Sequence, residues 1–210
     1  MMDVSWLIFD AMGVIFEIPD DTRDLLIPYV IRHNPLAKEQ QILDLYMKAS
    51  LGEINSRFFW QSLGFDNWQE TEKDYLDSCL TLDEDFCKTA QQLQRQYNLV
   101  LLSNDVGEWS AYLRRKFDLD RFFQKVIISG EVGYRKPDPR IYEVLLSRIN
   151  TGAGECMFFD DRVKNLYPAY SLGIRPILFN RDRIDCAGFE SVNDFAEIAE
   201  ILQKQGESCE

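Results

Sequence analysis

Val4-Ser5-Trp6-Leu7-Ile8-Phe9-Asp10 is the stretch on which the reading of this chain turns. Its first six residues make an apolar run with β-branched and aromatic members. A run this short fits a fully buried strand, although length and pattern alone also allow a piece of buried helix. Asp10 ends the run and Ala11-Met12-Gly13-Val14 follows. A carboxylate at the carboxyl end of a buried strand in an α/β sheet stands where ligands bind. Burying it is costly unless a cation or hydrogen bonds compensate. An Asp in that position is a candidate nucleophile. Met12, two residues on, stands where such a site often uses a second carboxylate.

Outward from this strand the pattern changes. Glu17-Ile18-Pro19-Asp20-Asp21 is a turn-rich connection, and residues 22–86 then read as helical. Leu25, Leu26, Tyr29 and Val30 recur at helical spacing, as do Ile42, Leu45, Tyr46 and Ala49. Gly52 and Gly64 bracket a short helix at Arg57-Phe58-Phe59-Trp60. Strands and helices alternate from there. Strands are expected at 99–102, 126–128, 156–159 and 176–179, and helices at 90–97, 110–117, 140–148 and 166–172. A closing helix is expected from Val192 to Gln203, with a polar tail through Ser208. Repeated βα units imply a parallel sheet covered on both faces. The expected architecture is α/β, a Rossmann-like parallel sheet from residues 1–18 and 87–210. A small all-helical unit is inserted over residues 19–86.

Composition sets the limits on function. The chain has 210 residues, 46% hydrophobic and 28% charged, as expected for an ordinary globular protein. Its net charge of −12 argues against a nucleic-acid backbone or an anionic membrane surface as partner. Local positive charge can still receive a small anion. Cys79, Cys87, Cys156, Cys186 and Cys209 are widely spaced, odd in number and contain no CxxC, which fits reduced thiols. His33 is the single histidine, so a histidine zinc site or a Ser-His-Asp triad is not expected. No basic region leads into an apolar stretch with a cleavage site, and Asp10 ends the first apolar run early. The expectation is a cytoplasmic protein.

The strand ends carry the chemistry. One strand ends in Asp10, the next in Ser103-Asn104-Asp105, and a later one in Asp160-Asp161. Tyr134-Arg135-Lys136-Pro137-Asp138-Pro139 follows the remaining one by a few residues. In a parallel sheet these ends share one edge, which gathers carboxylates, a hydroxyl and an ammonium. A carboxylate can attack phosphorus and form an acyl phosphate. Paired acidic residues suit Mg²⁺, a hard cation that prefers oxygen. Such a cation offsets repulsion between the attacking carboxylate and a phosphate. A Lys and a Ser hydroxyl can bind the transferring group. Asp160 and Asp161 also fit a plain helix N-cap.

Together these segments resemble the haloacid dehalogenase-type (HAD) hydrolases. Phe9-Asp10-Ala11-Met12-Gly13-Val14 resembles the family's first motif and Leu101-Leu102-Ser103-Asn104 its second. Arg135-Lys136-Pro137-Asp138-Pro139-Arg140-Ile141-Tyr142 resembles the third, and Phe158-Phe159-Asp160-Asp161 the fourth. The helical block, above all Leu51-Gly52-Glu53-Ile54-Asn55-Ser56-Arg57-Phe58-Phe59-Trp60, resembles the family's cap. The resemblance implies that Asp10 is the nucleophile and that Ser103 and Lys136 bind the transferring group. It implies a Mg²⁺ held by Asp10, Asp161 and the Met12 backbone carbonyl, with Asp160 assisting directly or through water. Asn104 and Asn165 would support the site and its substrate by hydrogen bonds. The substrate implied is a small phosphorylated metabolite.

One position departs from the pattern. The family's phosphatases usually carry Asp where Met12 stands, to protonate the leaving oxygen and then activate water. A positioned acid or base contributes about 10²–10⁴-fold, so its loss slows turnover without stopping attack by Asp10. Three readings follow from the resemblance. The first is a Mg²⁺-dependent phosphatase. The second is a dehalogenase-like enzyme whose halide leaving group needs no proton, although that metal-independent branch resembles Ser-Ser-Asn at Asp160-Asp161. The third is a binding or regulatory protein that turns over little.

Overall fold

The computed structural model describes residues 4–78, 80–184 and 188–207, with side chains to residue 202. Strand β1 (Trp6–Phe9) lies in the middle of a six-stranded parallel sheet. A π-helical turn, Thr22–Leu26, then opens a helical block: α1 (Ile27–His33), α2 (Glu39–Ala49), α3 (Ser56–Ser62) and α4 (Trp68–Ser78). Alternation follows with α5 (Glu84–Leu93), β2 (Asn98–Ser103), α6 (Gly107–Lys116), β3 (Lys125–Ile128), α7 (Ser129–Val132) and α8 (Pro139–Ile149). The chain ends with β4 (Cys156–Asp160), α9 (Val163–Ser171), β5 (Arg175–Phe179), β6 (Glu190–Val192) and α10 (Phe195–Glu207).

The sheet order is β3-β2-β1-β4-β5-β6, so the chain runs outward in one direction from β1 and in the other from β4. The register aligns Phe9 with Leu101 on one side and with Phe159 on the other. Asp10 and Asp160 therefore finish neighbouring strands where the winding direction reverses, the crevice in which open α/β sheets bind ligands. The strands are apolar throughout because both faces are covered. Leu7, Phe9, Leu101, Phe159 and Phe179 pack with Phe86 of α5 and Phe195 of α10. Ile8, Val100, Leu102 and Phe158 pack with Ile141 and Tyr142 of α8 and Leu166 of α9. The Phe9 and Phe159 rings stack at 5.0 Å, directly beneath the site. Truncating either to Ala would cost about 3–5 kcal/mol.

The helical block joins the sheet through two adjacent crossings. Phe16 and Leu82 form an antiparallel bridge, and the Asp83 N–H donates to the Ile15 carbonyl at 2.9 Å. Trp109 of α6 reaches into the block, where its Nε1 donates to Glu72 Oε2 at 2.8 Å; Trp60 Nε1 donates to the same oxygen at 3.0 Å. A Cβ on Gly52 (φ +74°) would lie 2.3 Å from the Gly130 carbonyl oxygen, so only glycine lets these backbones approach.

Several local expectations shift. The helix expected at 90–97 is α5, which starts at Glu84 because Asp83 caps it, accepting from the Asp85 N–H at 2.8 Å. Phe86 already packs in the core with Phe9. Val192 does not open the last helix. It ends β6, an edge strand beyond the expected last strand, and α10 begins at Phe195 and runs to Glu207. Asp194 sets that start by accepting from the Ala196 and Glu197 N–H groups. The short α7 was not expected at all. Cys79, Cys186, Cys209 and Ser208 lie outside the described residues, while Cys87 and Cys156 are free thiols. Burial pushes the Cys156 thiol up to about 12, so it is not a nucleophile. Among the described residues no helix is long and apolar enough to cross a membrane.

Candidate active site

The carboxyl edge of the sheet brings Asp10, Lys136, Asp160 and Asp161 together. Asp10 leaves β1 with its N–H donating to the Phe159 carbonyl at 3.0 Å. Its Oδ1 accepts from the Ala11 N–H and lies 2.7 Å from Lys136 Nζ. Both contacts use Oδ1 and leave Oδ2 for the cavity that Asp10 lines. Lys136 is fully enclosed and makes three contacts, to Asp10, to Asp160 Oδ2 at 2.8 Å and to the Leu102 carbonyl at 2.8 Å. Asn104 holds that lysine in place. Its Oδ1 accepts from the Lys136 N–H and its Nδ2 donates to the Lys136 carbonyl, both at 2.8 Å. Asn165, on α9, donates to both oxygens of Asp160 at 2.9 and 3.0 Å. Asn104 and Asn165 are thus positioning groups for Lys136 and Asp160.

Asp160 and Asp161 do not form the plain helix cap considered above. The residue at the N-cap of α9 is Arg162, without a side-chain cap bond. Asp160 does accept from the Arg162 N–H at 2.8 Å, but its remaining partners are Lys136 and Asn165. Asp161 Oδ1 is buried with no hydrogen-bond partner among the described residues. Ligand oxygens of Asp10, Asp160 and Asp161 all lie within 4.8 Å of one another. A buried orphan oxygen in a three-carboxylate cluster is the donor set a hard divalent cation needs, so the residues fit Mg²⁺. Gly13 (φ +77°) belongs to this geometry, because a Cβ there would sit 2.5 Å from Asp161 Cγ.

Electrostatics match. Burial raises the Asp10 carboxyl well above the ordinary range; Lys136 opposes this, and Asp160 and Asp161 add to it. Burial and then Asp160 push Asp161 up to about 7, against Arg162 and Lys136. Burial pulls the Lys136 ammonium down, but Asp10 and Asp160 more than offset it and the net shift is upward. A cation within this cluster favours every ionised carboxylate.

Ser103 ends β2 with its hydroxyl buried and without a partner among the described residues. Met12 and Asn165 line the cavity with Asp10. The same cavity has walls that sequence reasoning missed: Asp21, Thr22, Tyr46, Arg135 and Arg162. Arg135 bonds to Ser50 and faces the Tyr46 ring at 5.5 Å, and Arg162 bonds to the Pro19 carbonyl. Arg181 was also missed. It donates to the Gly13 and Val14 carbonyls and pairs with Asp83 at 2.6 Å, tying the loop after Asp10 to the start of α5. Only Arg135 stood inside a quoted motif; the others have no local signal.

The comparisons agree with this geometry. A family model described as haloacid dehalogenase-like hydrolase matches residues 5–170. Glyceraldehyde 3-phosphate phosphatase of Pyrococcus abyssi is 31% identical over 90 residues, which are 42% of this chain and 37% of that protein. The chain thus matches well under half the length of that relative. A HAD family enzyme from Bacteroides thetaiotaomicron, solved with magnesium and inorganic phosphate, superposes with TM-score 0.74 at 20% identity, over 88% of this chain and 98% of that one. A 2-haloacid dehalogenase from Pseudomonas syringae superposes with TM-score 0.72 at 14% identity, over 96% and 99% of the two chains. At these identities the two structures share the fold.

Proposed function

The chain belongs to the haloacid dehalogenase-like hydrolase family, and from that premise we propose that it is a Mg²⁺-dependent phosphatase of small phosphate esters that works through an aspartyl phosphate on Asp10. The carrying observation is the cluster of Asp10, Asp160 and Asp161 with Lys136 bonded to the first two. That cluster favours this reading over a metal-independent dehalogenase. Several relatives are named phosphatases, including the Pyrococcus enzyme and a phosphorylated carbohydrates phosphatase of Thermotoga maritima.

Asp10 Oδ2 attacks phosphorus while Oδ1 stays bonded to Lys136 and the Ala11 N–H, which fixes the carboxylate plane. The bond from phosphorus to the leaving oxygen breaks, and water later releases phosphate from Asp10. Lys136 and the Ser103 hydroxyl bind the transferring phosphoryl group. Asn104 and Asn165 keep Lys136 and Asp160 aligned. Asp10, Asp161 and the Met12 carbonyl, with Asp160 direct or through water, would hold Mg²⁺, which when bound would offset the charge between carboxylate and phosphate. The inserted helices over residues 19–86 act as the cap that closes the cavity from water.

The test is phosphate release from a panel of sugar phosphates and an activated aryl phosphate, with and without Mg²⁺. Release that requires the metal and is abolished by Asp10→Asn supports the proposal. No metal-dependent release, or release that survives Asp10→Asn, overturns it. Halide release from 2-haloacids without metal would assign the chain to the dehalogenase chemistry instead.

A further inference from the structure

We propose that Asp21 is the general acid and base of the reaction, doing from the cap side of the cavity what Met12 cannot do; this rests on the phosphatase reading above. Asp10 and Asp21 are the two carboxylates among the described residues that line the cavity, Asp10 at the sheet edge and Asp21 where the chain enters the helical block. Asp21 is only 7% exposed. It occupies the N-cap position of the π-helical turn, where Asp commonly bonds the first N–H groups, yet its side chain makes no cap bond. Its carboxylate accepts from the adjacent Thr22 N–H, and no salt bridge to it is found among the described residues. Its neighbour Asp20 accepts from the Arg23 N–H at 3.1 Å and lies 3.9 Å from the Arg23 guanidinium. A carboxyl group that is buried, lines a cavity and is held only by its neighbour's N–H has acceptor capacity left for a ligand.

The charged groups around it tune it for proton transfer. Arg162 at the start of α9, Arg135 after α7, Asp20 beside it and Asp105 beyond β2 act on it electrostatically, and Tyr46 of α2 shares its cavity wall. Burial raises Asp21 to about 6, with Arg162 opposing and Asp20 reinforcing. Near neutral pH such a group is available both protonated and ionised, the condition for serving each half-reaction.

The proton balance closes. As Asp10 attacks phosphorus and the ester P–O bond breaks, the Asp21 carboxyl gives its proton to the leaving oxygen, which departs as an alcohol. The resulting Asp21 carboxylate takes a proton from the incoming water as that oxygen bonds to phosphorus. The P–O bond to Asp10 then breaks, the Asp10 carboxylate is restored, and phosphate leaves with Asp21 protonated again.

The experiment compares wild type, Asp21→Asn and Asp21→Asn with Met12→Asp, all with Mg²⁺, on a sugar phosphate and an activated aryl phosphate. Asp21→Asn is expected to lower sugar phosphate turnover by about 10²–10⁴-fold. It should remove the fall of kcat/KM above pH 6, spare aryl phosphate attack, and accumulate phosphorylated protein detectable by mass. Adding Met12→Asp should restore turnover, because it returns a carboxyl to the same cavity. An Asp21→Asn enzyme that keeps wild-type turnover, pH profile and leaving-group dependence overturns this proposal alone. A wild type without metal-dependent phosphate release overturns the phosphatase reading and this proposal with it.

Discussion

Replacing Lys136 with Met tests the electrostatic core of the site without touching the nucleophile. Lys136 Nζ lies 2.7 Å from Asp10 and 2.8 Å from Asp160, and its side chain is 1% exposed. Met keeps most of the volume and removes the charge. Two buried carboxylates then lose their shared cation, and breaking a buried pair this way costs about 3–5 kcal/mol. For a domain of this size that is a fall in Tm of about 6–20 °C. The sign of the pH dependence follows from linkage. Burial already raises Asp10 above its unfolded value, and losing Lys136 raises it further. A carboxyl whose pKa is higher folded than unfolded releases a proton on unfolding, so its contribution to stability fades as pH rises. The gap between wild type and Lys136→Met should therefore be small near pH 4.5 and widest near pH 8. Thermal denaturation by circular dichroism across that range, without divalent metal, measures it. A gap that stays under 2 °C at pH 8, or that widens toward low pH, would refute the claim that Lys136 neutralises Asp10 and Asp160.

Three further outcomes follow. Because burial and Asp160 hold Asp161 at about 7, Mg²⁺ affinity should rise steeply from pH 6 to 8 with proton release; titration calorimetry in buffers of different ionisation heat reads this, and binding without proton release would contradict it. Gly13→Ala places a methyl 2.5 Å from Asp161 at φ +77°, so it should cost about 1–3 kcal/mol of stability and weaken Mg²⁺ binding; unchanged affinity and Tm would show that the loop is not constrained by Asp161. Asn104→Ala removes both bonds to the Lys136 main chain and should destabilise by about 1–3 kcal/mol while lowering kcat more than it raises KM; a pure KM effect would make Asn104 a substrate ligand instead.

The sheet was legible because its strands are buried on both faces and so read as unbroken apolar runs. Asp10, Ser103 and Asp160-Asp161 stand out as the polar residues that end those runs. What could not be read was anything set by the approach of a distant element. Asp21, Tyr46 and Arg162 reach one cavity from three separate parts of the chain, and no periodicity tells which helix end faces it. Asn104 and Asn165 were legible as site residues. Their service to Lys136 and Asp160 depends on bonds across 32 and 5 positions that only the folded register creates. The late start of α10 was within reach, since Asp194 followed three residues later by Glu197 is a helix-start signature. The edge strand β6 offered one buried residue, Val192, too little for a period to register.

Asp10 Oδ2 is the proposed acceptor of the phosphoryl group. Borohydride reduction of the protein during turnover of an activated aryl phosphate with Mg²⁺ converts an acyl phosphate to homoserine, and peptide mass spectrometry locates it. Homoserine at position 10, absent when Mg²⁺ is chelated, is the predicted result. Sustained phosphate release with position 10 found unmodified, and equal release from Asp10→Asn, would contradict it.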